Sequence, residues 1–501
     1  MKNLLKNKFW LRLWLPVIIF AALAYFPLFL HLGSQPLKNF DESLFALRAY
    51  RIAHDGQYLN NFIEFPDGPS ATNTKPPFFS GIQALSYKLW GYNELALRLP
   101  VALSVAALLF FMLRFSRQET GNFTFGIFSG MVLLTSWGFI HVHVSRTGDH
   151  DAPLAVLGWL ALTYLYRFLK YNRQYSRHLI VFTGAILAAT LTKSVAGLFM
   201  VPGIGVWLIA EKQFLPLLRD RRTWIALGSY ILIVGGYYLY RELDYPGFWK
   251  GMWKGELGGH YLQTRDGHLW PFYWFAMRLY THKFLPWLFF LPIGFFLILQ
   301  KNTDTLRRYG WLNLLGFISW LMVISLSQTK LEWYDASLYP LMAMPVGYAL
   351  YRLYEGGKSF LPDTARLTPV LWAVLFVFAF FFTPGVAVMK KVYQPHDIDY
   401  PGERYGYLIK QVEKQFPDLK KYTILHEGHS THALFYQLTR NDKGFDISRL
   451  HTTTDTKAGD IIMACQPEVI RYLKEHFQLR PISGKEGCEL LELLDEIPTG
   501  E

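Results

Sequence analysis

The chain has 501 residues, of which 51% are hydrophobic and 17% aromatic. A soluble protein of this length rarely has such a composition, so a membrane protein is indicated. The net charge of +12 does not require a nucleic-acid partner. The basic residues gather beside apolar stretches, where they meet anionic lipid headgroups, and no nucleic-acid partner is expected.

Apolar stretches long enough to cross a bilayer predict membrane-spanning helices through most of the chain. The first four cover residues 14–32, 95–113, 123–144 and 152–168, and comparable stretches recur as far as Pro384. About eleven spans result in all. The N-terminal apolar run is not followed by a clear small-residue cleavage site, so it is expected to remain as the first span.

Six clusters of Lys and Arg fall where alternate crossings would return to one side of the membrane. They lie at residues 2–12, 114–117, 167–177, 212–222, 301–308 and 352–366. Because Lys and Arg near span ends resist translocation, this side is expected to be cytoplasmic. The sequence therefore predicts a protein integral to the cell (inner) membrane, with a cytoplasmic N-terminus and a periplasmic C-terminal region.

The chain is expected to form two domains. Residues 1–389 are predicted to be a membrane domain, with an external loop at 33–94, and residues 390–501 an external soluble domain. In the second domain, strand-like segments alternate with helical ones at 422–427, 430–439, 460–465 and 467–477, which predicts a small α/β fold.

Two features of the C-terminal domain leave alternatives open. Cys465 and Cys488 would lie in an oxidising space, where a disulfide can form, but two buried thiols fit the spacing as well. The HEGH segment at 426–429, followed by His432, invites a metal site. It departs from the H-E-x-x-H of zinc hydrolases, so a loop and helix cap with solvated histidines is preferred.

The external loop of the membrane domain contains two charged positions of interest. Asp41 begins a segment whose apolar spacing predicts an amphipathic helix at the membrane interface. Its carboxylate is interpreted either as an N-cap or as a group that activates an acceptor. Lys75 precedes two prolines, and either a snorkelling cation or a phosphate ligand fits its position.

These residues belong to a longer pattern. Asp41 and Glu42 after the first span, Lys-Pro-Pro at 75–77 and NELALRLP at 93–100 together resemble the GT-C glycosyltransferases. The similarity is to the aminoarabinose transferases and the dolichyl-phosphate-mannose protein mannosyltransferases. It continues through SRTGDHDAPL at 145–154, LTKSVAGL at 191–198, HLWPFYW at 268–274 and TKLEWYDASLYPLMAMP at 329–345.

The resemblance implies a polytopic α-helical GT-C fold and a function. Such an enzyme transfers a sugar from a polyprenyl-phosphate donor to a lipid, glycan or protein acceptor at the outer face of the membrane, with inversion. A leaving polyprenyl phosphate needs cations to stabilise its developing charge, which agrees with the residue types present.

The resemblance also implies roles for individual residues. Asp41 and Asp151 are expected to be catalytic, although Asp151 before Ala-Pro is also a good N-cap. Lys75, His268 and Lys330 are expected to bind the donor phosphate, with Lys330 preferred over Lys193. Arg265 is added on chemical grounds, because a guanidinium binds phosphate through two hydrogen bonds. Further candidates are Glu42, Arg146, Asp149 and Tyr334.

The sequence departs from the aminoarabinose branch at one position. In that branch a Glu commonly precedes Lys-Pro-Pro and is linked with the later His in binding a metal, whereas this chain has Thr74. Threonine is a poor ligand for zinc, so a divalent metal is doubtful here. His268 is then expected to act alone, as a hydrogen-bond donor to phosphate.

Two other classes of function remain as alternatives. A polytopic transporter or lipid flippase would fit the spans, but such proteins place charged residues at mid-span, where this chain has few. A non-catalytic assembly protein would be favoured only if Asp41 and Lys75 proved dispensable.

Overall fold

A computed structural model describes residues 2–59, 62–65, 68–72, 74–263, 267, 269–300, 304–360, 368–393 and 403–497. The α-helices of these residues are α1 (Lys2–Phe29), α2 (Asp41–Asp55), α3 (Phe78–Trp90), α4 (Glu94–Thr120), α5 (Thr124–Leu134), α6 (Asp151–Lys170), α7 (Ser176–Lys193), α8 (Val201–Ala210), α9 (Phe214–Leu218), α10 (Arg221–Asp244), α11 (Phe248–Met252), α12 (Trp274–Arg278), α13 (Phe290–Leu299), α14 (Asp304–Leu326), α15 (Leu338–Lys358), α16 (Thr368–Tyr393), α17 (Tyr405–Gln415), α18 (Thr431–Asn441) and α19 (Pro467–His476).

The strands are β1 (Phe62–Phe65), β2 (Gly68–Thr72), β3 (Lys421–Leu425), β4 (Asp446–Leu450), β5 (Ile461–Ala464), β6 (Phe477–Lys485) and β7 (Cys488–Glu496). Two segments form π-helices, Trp253–Tyr261 and Leu279–Lys283. Short 3₁₀ turns occur at Ser194–Leu198, Trp287–Phe289, Glu332–Asp335 and Thr453–Asp455.

Six of the described helices are long and apolar enough to cross a membrane. They are α4, α6, α7 with its 3₁₀ extension, α10, the part of α14 from Leu306 to Leu326, and α16. Four shorter apolar helices lie at Trp14–Phe29, Thr124–Leu134, Val201–Ala210 and Trp287–Leu299. The total of about eleven spans stays a prediction.

The stretch at 123–144, predicted as one span, has a different structure. Helix α5 ends at Leu134, and the chain then runs through turns as far as His150. Hydrogen bonds to backbone carbonyls stabilise this irregular segment. Gly138 N donates to the Lys283 carbonyl at 2.9 Å, and Ser145 Oγ donates to the Phe139 carbonyl at 2.8 Å. Apolar composition does not distinguish a span from a buried segment made of turns. This segment leads to Asp149 and therefore belongs to the surroundings of the candidate site.

Small residues let the membrane helices approach closely. A Cβ atom added to Gly347 of α15 would lie 2.2 Å from Ser129 Oγ of α5, and one added to Gly203 of α8 would lie 2.2 Å from the Leu315 carbonyl of α14. Without water between helices, such close packing is a main source of helix association in a bilayer. These contacts hold together the bundle from which the site is built.

The C-terminal part is an α/β unit. Its five-stranded sheet has the order β4-β3-β5-β7-β6, with β4, β3 and β5 parallel and β7 and β6 antiparallel. Strands β3 and β5 and helices α18 and α19 match the four predicted segments. Cys465 and Cys488, just after β5 and at the start of β7, form a disulfide.

Helix α2 begins at Asp41, as predicted, and its position at the membrane interface stays a prediction. Ten of its fifteen residues are buried. Its apolar face packs against α3 and α18, where Ala46 and Leu47 share one core with Tyr87 and Phe435. The α/β unit therefore covers the helix that presents the first candidate carboxylate.

Candidate active site

A buried carboxylate, Glu42, links helix α2, which begins at Asp41, to Arg98 of α4 and to the loop that contains Asp149. Glu42 is fully buried and accepts hydrogen bonds from Arg98 Nε at 2.7 Å and Nη2 at 2.9 Å. It also accepts from the backbone N–H of Lys38 at 2.9 Å and of Gly148 at 2.7 Å. Burial alone would raise the pKa of Glu42, but Arg98 and the two backbone donors lower it, so the carboxylate stays charged. Glu42, a further candidate from the sequence, thus holds Asp41 beside Asp149.

The acidic cluster is formed by Asp41, His143 and Asp149. One side-chain oxygen or nitrogen from each lies within 4.8 Å of the others. Asp149 is buried and accepts a hydrogen bond from Thr147 Oγ1. His143 Nδ1 lies 3.5 Å from Asp149 Oδ1. Burial alone would lower the pKa of His143, but the Asp149 carboxylate raises it to about 9, so the ring is protonated near neutral pH.

His143 is a residue that the sequence prediction missed. Its backbone is in the left-handed region, with φ of 65°, and its N–H donates to Thr147 Oγ1 at 2.8 Å. The ring stacks on Trp333, with ring centroids 4.1 Å apart. It was overlooked because residues 123–144 were assigned to a span. A polar, ionisable side chain inside an apolar stretch was the available signal.

The donor set of the acidic cluster suits a divalent cation. Two carboxylates and one imidazole are ligands that Mg²⁺, Mn²⁺ and Zn²⁺ accept. A cation would have to replace the proton on His143. By contrast Thr74, considered from the sequence as part of a metal site, donates its Oγ1 hydrogen to Glu256 Oε1 at 2.9 Å. The candidate cation site is therefore not the one considered from the sequence.

The histidines at 426–432 were predicted to be solvated, and two of them are not. His426 and His432 are buried, with ring centroids 5.0 Å apart. They do not belong to a group with metal-binding geometry among the described residues. His429 instead stacks on Phe40, at 4.5 Å, directly before Asp41.

Next to the acidic cluster lies a cavity of about 330 Å³, called here the main cavity. One end is polar and contains Lys75, Asp151, Lys193 and Glu256. The rest is mainly apolar and is lined by residues of α6, of the segment between α7 and α8, of α8 and of α14: Leu154, Val195, Ala196, Leu198, Phe199, Pro202, Trp320, Val323 and Ile324. Tyr261, Ser327 and Tyr334 complete the lining.

Asp151 and Lys193 form an ion pair at the polar end, with Nζ 2.5 Å from Oδ1. The N-cap position of α6 is His150, and neither α6 nor α2 has a side-chain hydrogen bond at its N-cap. The N-cap interpretations of Asp151 and Asp41 are therefore wrong. Since Asp149 and Asp151 are two residues apart, one short segment supplies a carboxylate to the acidic cluster and another to the main cavity.

Two further residues were missed, Arg48 and Glu256. Lys75 Nζ donates to Glu256 Oε2 at 2.7 Å. Burial lowers the pKa of the Arg48 guanidinium to about 10, against the opposing attraction of Glu256 and Asp41. Arg48 is therefore charged and lies within electrostatic reach of Asp41 in the acidic cluster and of Glu256 in the main cavity. It follows Asp41 by seven residues, which places both on one face of α2 and was a usable signal.

Of the remaining candidates, one lines the main cavity and the others do not or lie outside the described residues. Tyr334 lines the main cavity, with its ring centroid 5.8 Å from Lys193 Nζ. Lys330, preferred to Lys193 from the sequence, donates to the Ser327 carbonyl and is not among the lining residues in the described part of the chain. Arg146 donates hydrogen bonds to the carbonyls of Pro27 and Leu28 in α1 and to the carbonyl of Leu30 just after it. Arg265 and His268 lie outside the described residues.

The fold and the site define a class of protein, a polytopic membrane protein with a C-terminal α/β unit. A family model described as dolichyl-phosphate-mannose-protein mannosyltransferase matches residues 74–237. An uncharacterized protein of Aquifex aeolicus (strain VF5) is 26% identical over 340 residues, 67% of this chain. The chain spans 63% of that relative's length.

Solved structures share the architecture. ArnT from Cupriavidus metallidurans bound to undecaprenyl phosphate matches with a TM-score of 0.67 at 16% identity, over 95% of this chain and 97% of that one. The Archaeoglobus fulgidus oligosaccharyltransferase tethered with an acceptor peptide matches with a TM-score of 0.54 at 11% identity, over 90% of this chain and 65% of that one. The chain is an integral membrane protein with the GT-C fold, which confirms the predicted fold class.

Proposed function

We propose that the chain is a membrane glycosyltransferase that uses a polyprenyl-phosphate-linked sugar as donor. The observation that carries the proposal is the main cavity, in which a long apolar wall leads to two lysines beside an acidic cluster. A polyprenyl phosphate has the matching chemistry, an apolar chain that ends in an anion. The shared fold with a protein solved with undecaprenyl phosphate supports this choice.

The main cavity would hold the donor. The apolar chain would lie along α7, α8 and α14, and the phosphate would face Lys75 and Lys193. During transfer the bond between the anomeric carbon and the phosphate oxygen breaks, and the oxygen keeps the electron pair. The two ammonium groups stabilise the charge that develops on this oxygen, in a cavity where little water weakens the attraction.

The acidic cluster would act on the acceptor. Asp41 is half-buried, so it can meet an acceptor hydroxyl that arrives from outside. Its carboxylate takes or orients the hydroxyl proton while the oxygen attacks the anomeric carbon opposite the phosphate, which inverts the configuration. Asp41, His143 and Asp149 would hold a divalent cation, which as a Lewis acid would polarise an oxygen bound there.

We propose that this chemistry takes place at the outer face of the cell membrane, with residues 1–389 as the membrane domain and 390–501 outside. The six basic clusters and the Cys465–Cys488 disulfide support this orientation. A cysteine introduced at Lys420 should react with an impermeant maleimide added to intact cells, and one at Asn172 should not. The two native cysteines are paired and give a low background. The reverse labelling would overturn the orientation.

The proposed activity is tested directly with purified protein in lipid nanodiscs. A panel of labelled polyprenyl-phosphate sugars is incubated with a membrane extract as the source of lipid, glycan and protein acceptors. We expect one donor to lose its sugar and release free polyprenyl phosphate, and the Asp41→Asn variant to leave it intact. If all donors stay intact while the wild-type protein in vesicles moves the labelled lipid across the bilayer, the flippase alternative is correct.

A further inference from the structure

Glu256 belongs to an irregular segment that reaches over the polar end of the main cavity. It lies in the π-helix Trp253–Tyr261, and π-helical geometry often marks functional segments. Its two carboxylate oxygens have separate partners. Oε1 accepts from Thr74 Oγ1 at 2.9 Å, and Oε2 accepts from Lys75 Nζ at 2.7 Å. Glu256 therefore binds the lysine that the proposed function assigns to the donor phosphate.

The charges that line the main cavity sum to zero. Lys75 and Lys193 contribute two positive charges, and Asp151 and Glu256 contribute two negative ones. A polyprenyl phosphate carries about one to two negative charges near neutral pH. Its entry would bring a negative charge close to Asp151 and Glu256 in a poorly solvated space, which is costly. The phosphate can take over a lysine only if one of the two carboxylates gives it up.

The two carboxylates differ in how firmly they are held. Asp151 is the first residue of α6, and it is buried together with most residues of that helix. Glu256 lies on a short external segment, and its side chain is 11% exposed while that of Lys75 is 25% exposed. Moving Asp151 would disturb the bundle, whereas moving Glu256 needs only a rotation of its side chain or a shift of its segment.

We propose that Glu256 is an internal anion that occupies Lys75 in the empty site and is displaced by the donor phosphate. The proposal rests on the proposed function, because it takes the main cavity as the donor site. Glu256 then acts as a specificity-determining residue. Only a ligand with an anionic group that displaces the Glu256 carboxylate can form an ion pair with Lys75. A neutral polyprenol cannot form this ion pair.

The test measures the binding of undecaprenyl phosphate and of undecaprenol to the full chain in nanodiscs. We expect Glu256→Gln to lower the Kd of undecaprenyl phosphate about fivefold, the upper end of what a partly exposed ion pair contributes. The Kd of undecaprenol should not change. The matched control is Asp244→Asn, which removes an exposed carboxylate from the end of α10 on the same external side. It should leave both values unchanged.

A second variant keeps the test decisive if Glu256→Gln folds poorly. Thr74→Val conserves shape and removes only the hydrogen bond to Glu256 Oε1, so it should tighten undecaprenyl phosphate binding by a smaller factor. Weaker binding in either variant would show that Glu256 orients Lys75 for the phosphate and would overturn the proposal. If wild-type protein binds undecaprenol and undecaprenyl phosphate equally, the proposed donor itself is wrong, which is a separate outcome.

Discussion

The acidic cluster and the main cavity are adjacent, but they are built differently. The acidic cluster is fixed by fully buried groups: Glu42 and Arg98, whose side chains are 0% and 2% exposed, pair with each other, and Glu42 also binds Gly148 next to Asp149. At the polar end of the main cavity the Lys75–Glu256 ion pair is partly exposed, whereas Asp151 of the second pair is buried. Groups that react must be held in one geometry, whereas groups that bind a charged ligand must be able to exchange partners.

The largest effect should come from the acidic cluster. Asp41→Asn keeps the shape of the side chain and removes its charge, so kcat of sugar transfer should fall roughly a hundredfold or more. The affinity for undecaprenyl phosphate should stay the same, because Asp41 does not line the main cavity. Asp55→Asn, at the other end of α2, is the control and should retain activity. Near-normal transfer by well-folded Asp41→Asn would show that Asp41 has no role in the chemistry.

A chelator should separate the two regions further. We expect EDTA to lower kcat by about tenfold or more, as loss of a bound cation does, and Mn²⁺ or Mg²⁺ to restore it. Undecaprenyl phosphate should bind equally well with and without EDTA, because lysines hold its phosphate. His143→Gln should respond less to added cation. Full turnover after chelation would show that the acidic cluster works without metal, as the sequence alone suggested for this protein.

The smallest effect should arise within the main cavity and distinguish two lysines. Lys193→Ala should raise the Kd of undecaprenyl phosphate about tenfold, which corresponds to one charged hydrogen bond. Lys330→Ala removes the same charge nearby, but its ammonium group binds the Ser327 carbonyl and does not line the cavity. It should leave the Kd unchanged. Equal losses in both variants would show that the phosphate lies nearer Lys330 than the cavity indicates.

Much of the fold could be predicted from local sequence. Long apolar stretches, basic clusters and ordered motifs around Asp41, Lys75 and Asp151 led to a GT-C membrane protein with an α/β unit, which the structure bears out. Within the predicted span at 123–144, hydropathy failed after Leu134, because a buried segment made of turns has nearly the same composition as a span. His143 was assigned to the wrong environment for this reason.

The site could be predicted only in part. Asp41, Lys75, Asp149, Asp151 and Tyr334 were all candidates, and the structure brings them to two adjacent regions. Glu42 and Arg146 were also candidates. In the structure both make buried or partly buried hydrogen bonds that support the neighbouring loops. The sequence of a motif does not show whether a charged residue takes part in the reaction or stabilises a loop.

The sequence by itself determined most of the elements, because helix formation and the start of a helix depend on neighbouring residues. Only the tertiary structure decided which charges meet. Lys75 and Glu256 are 181 residues apart, and Glu42 and Gly148 are 106 residues apart. Such pairs depend on how helices and loops pack, and no local pattern in either partner records the other. The division of the site into a fixed acidic cluster and an exchangeable ion pair is therefore a property of the fold.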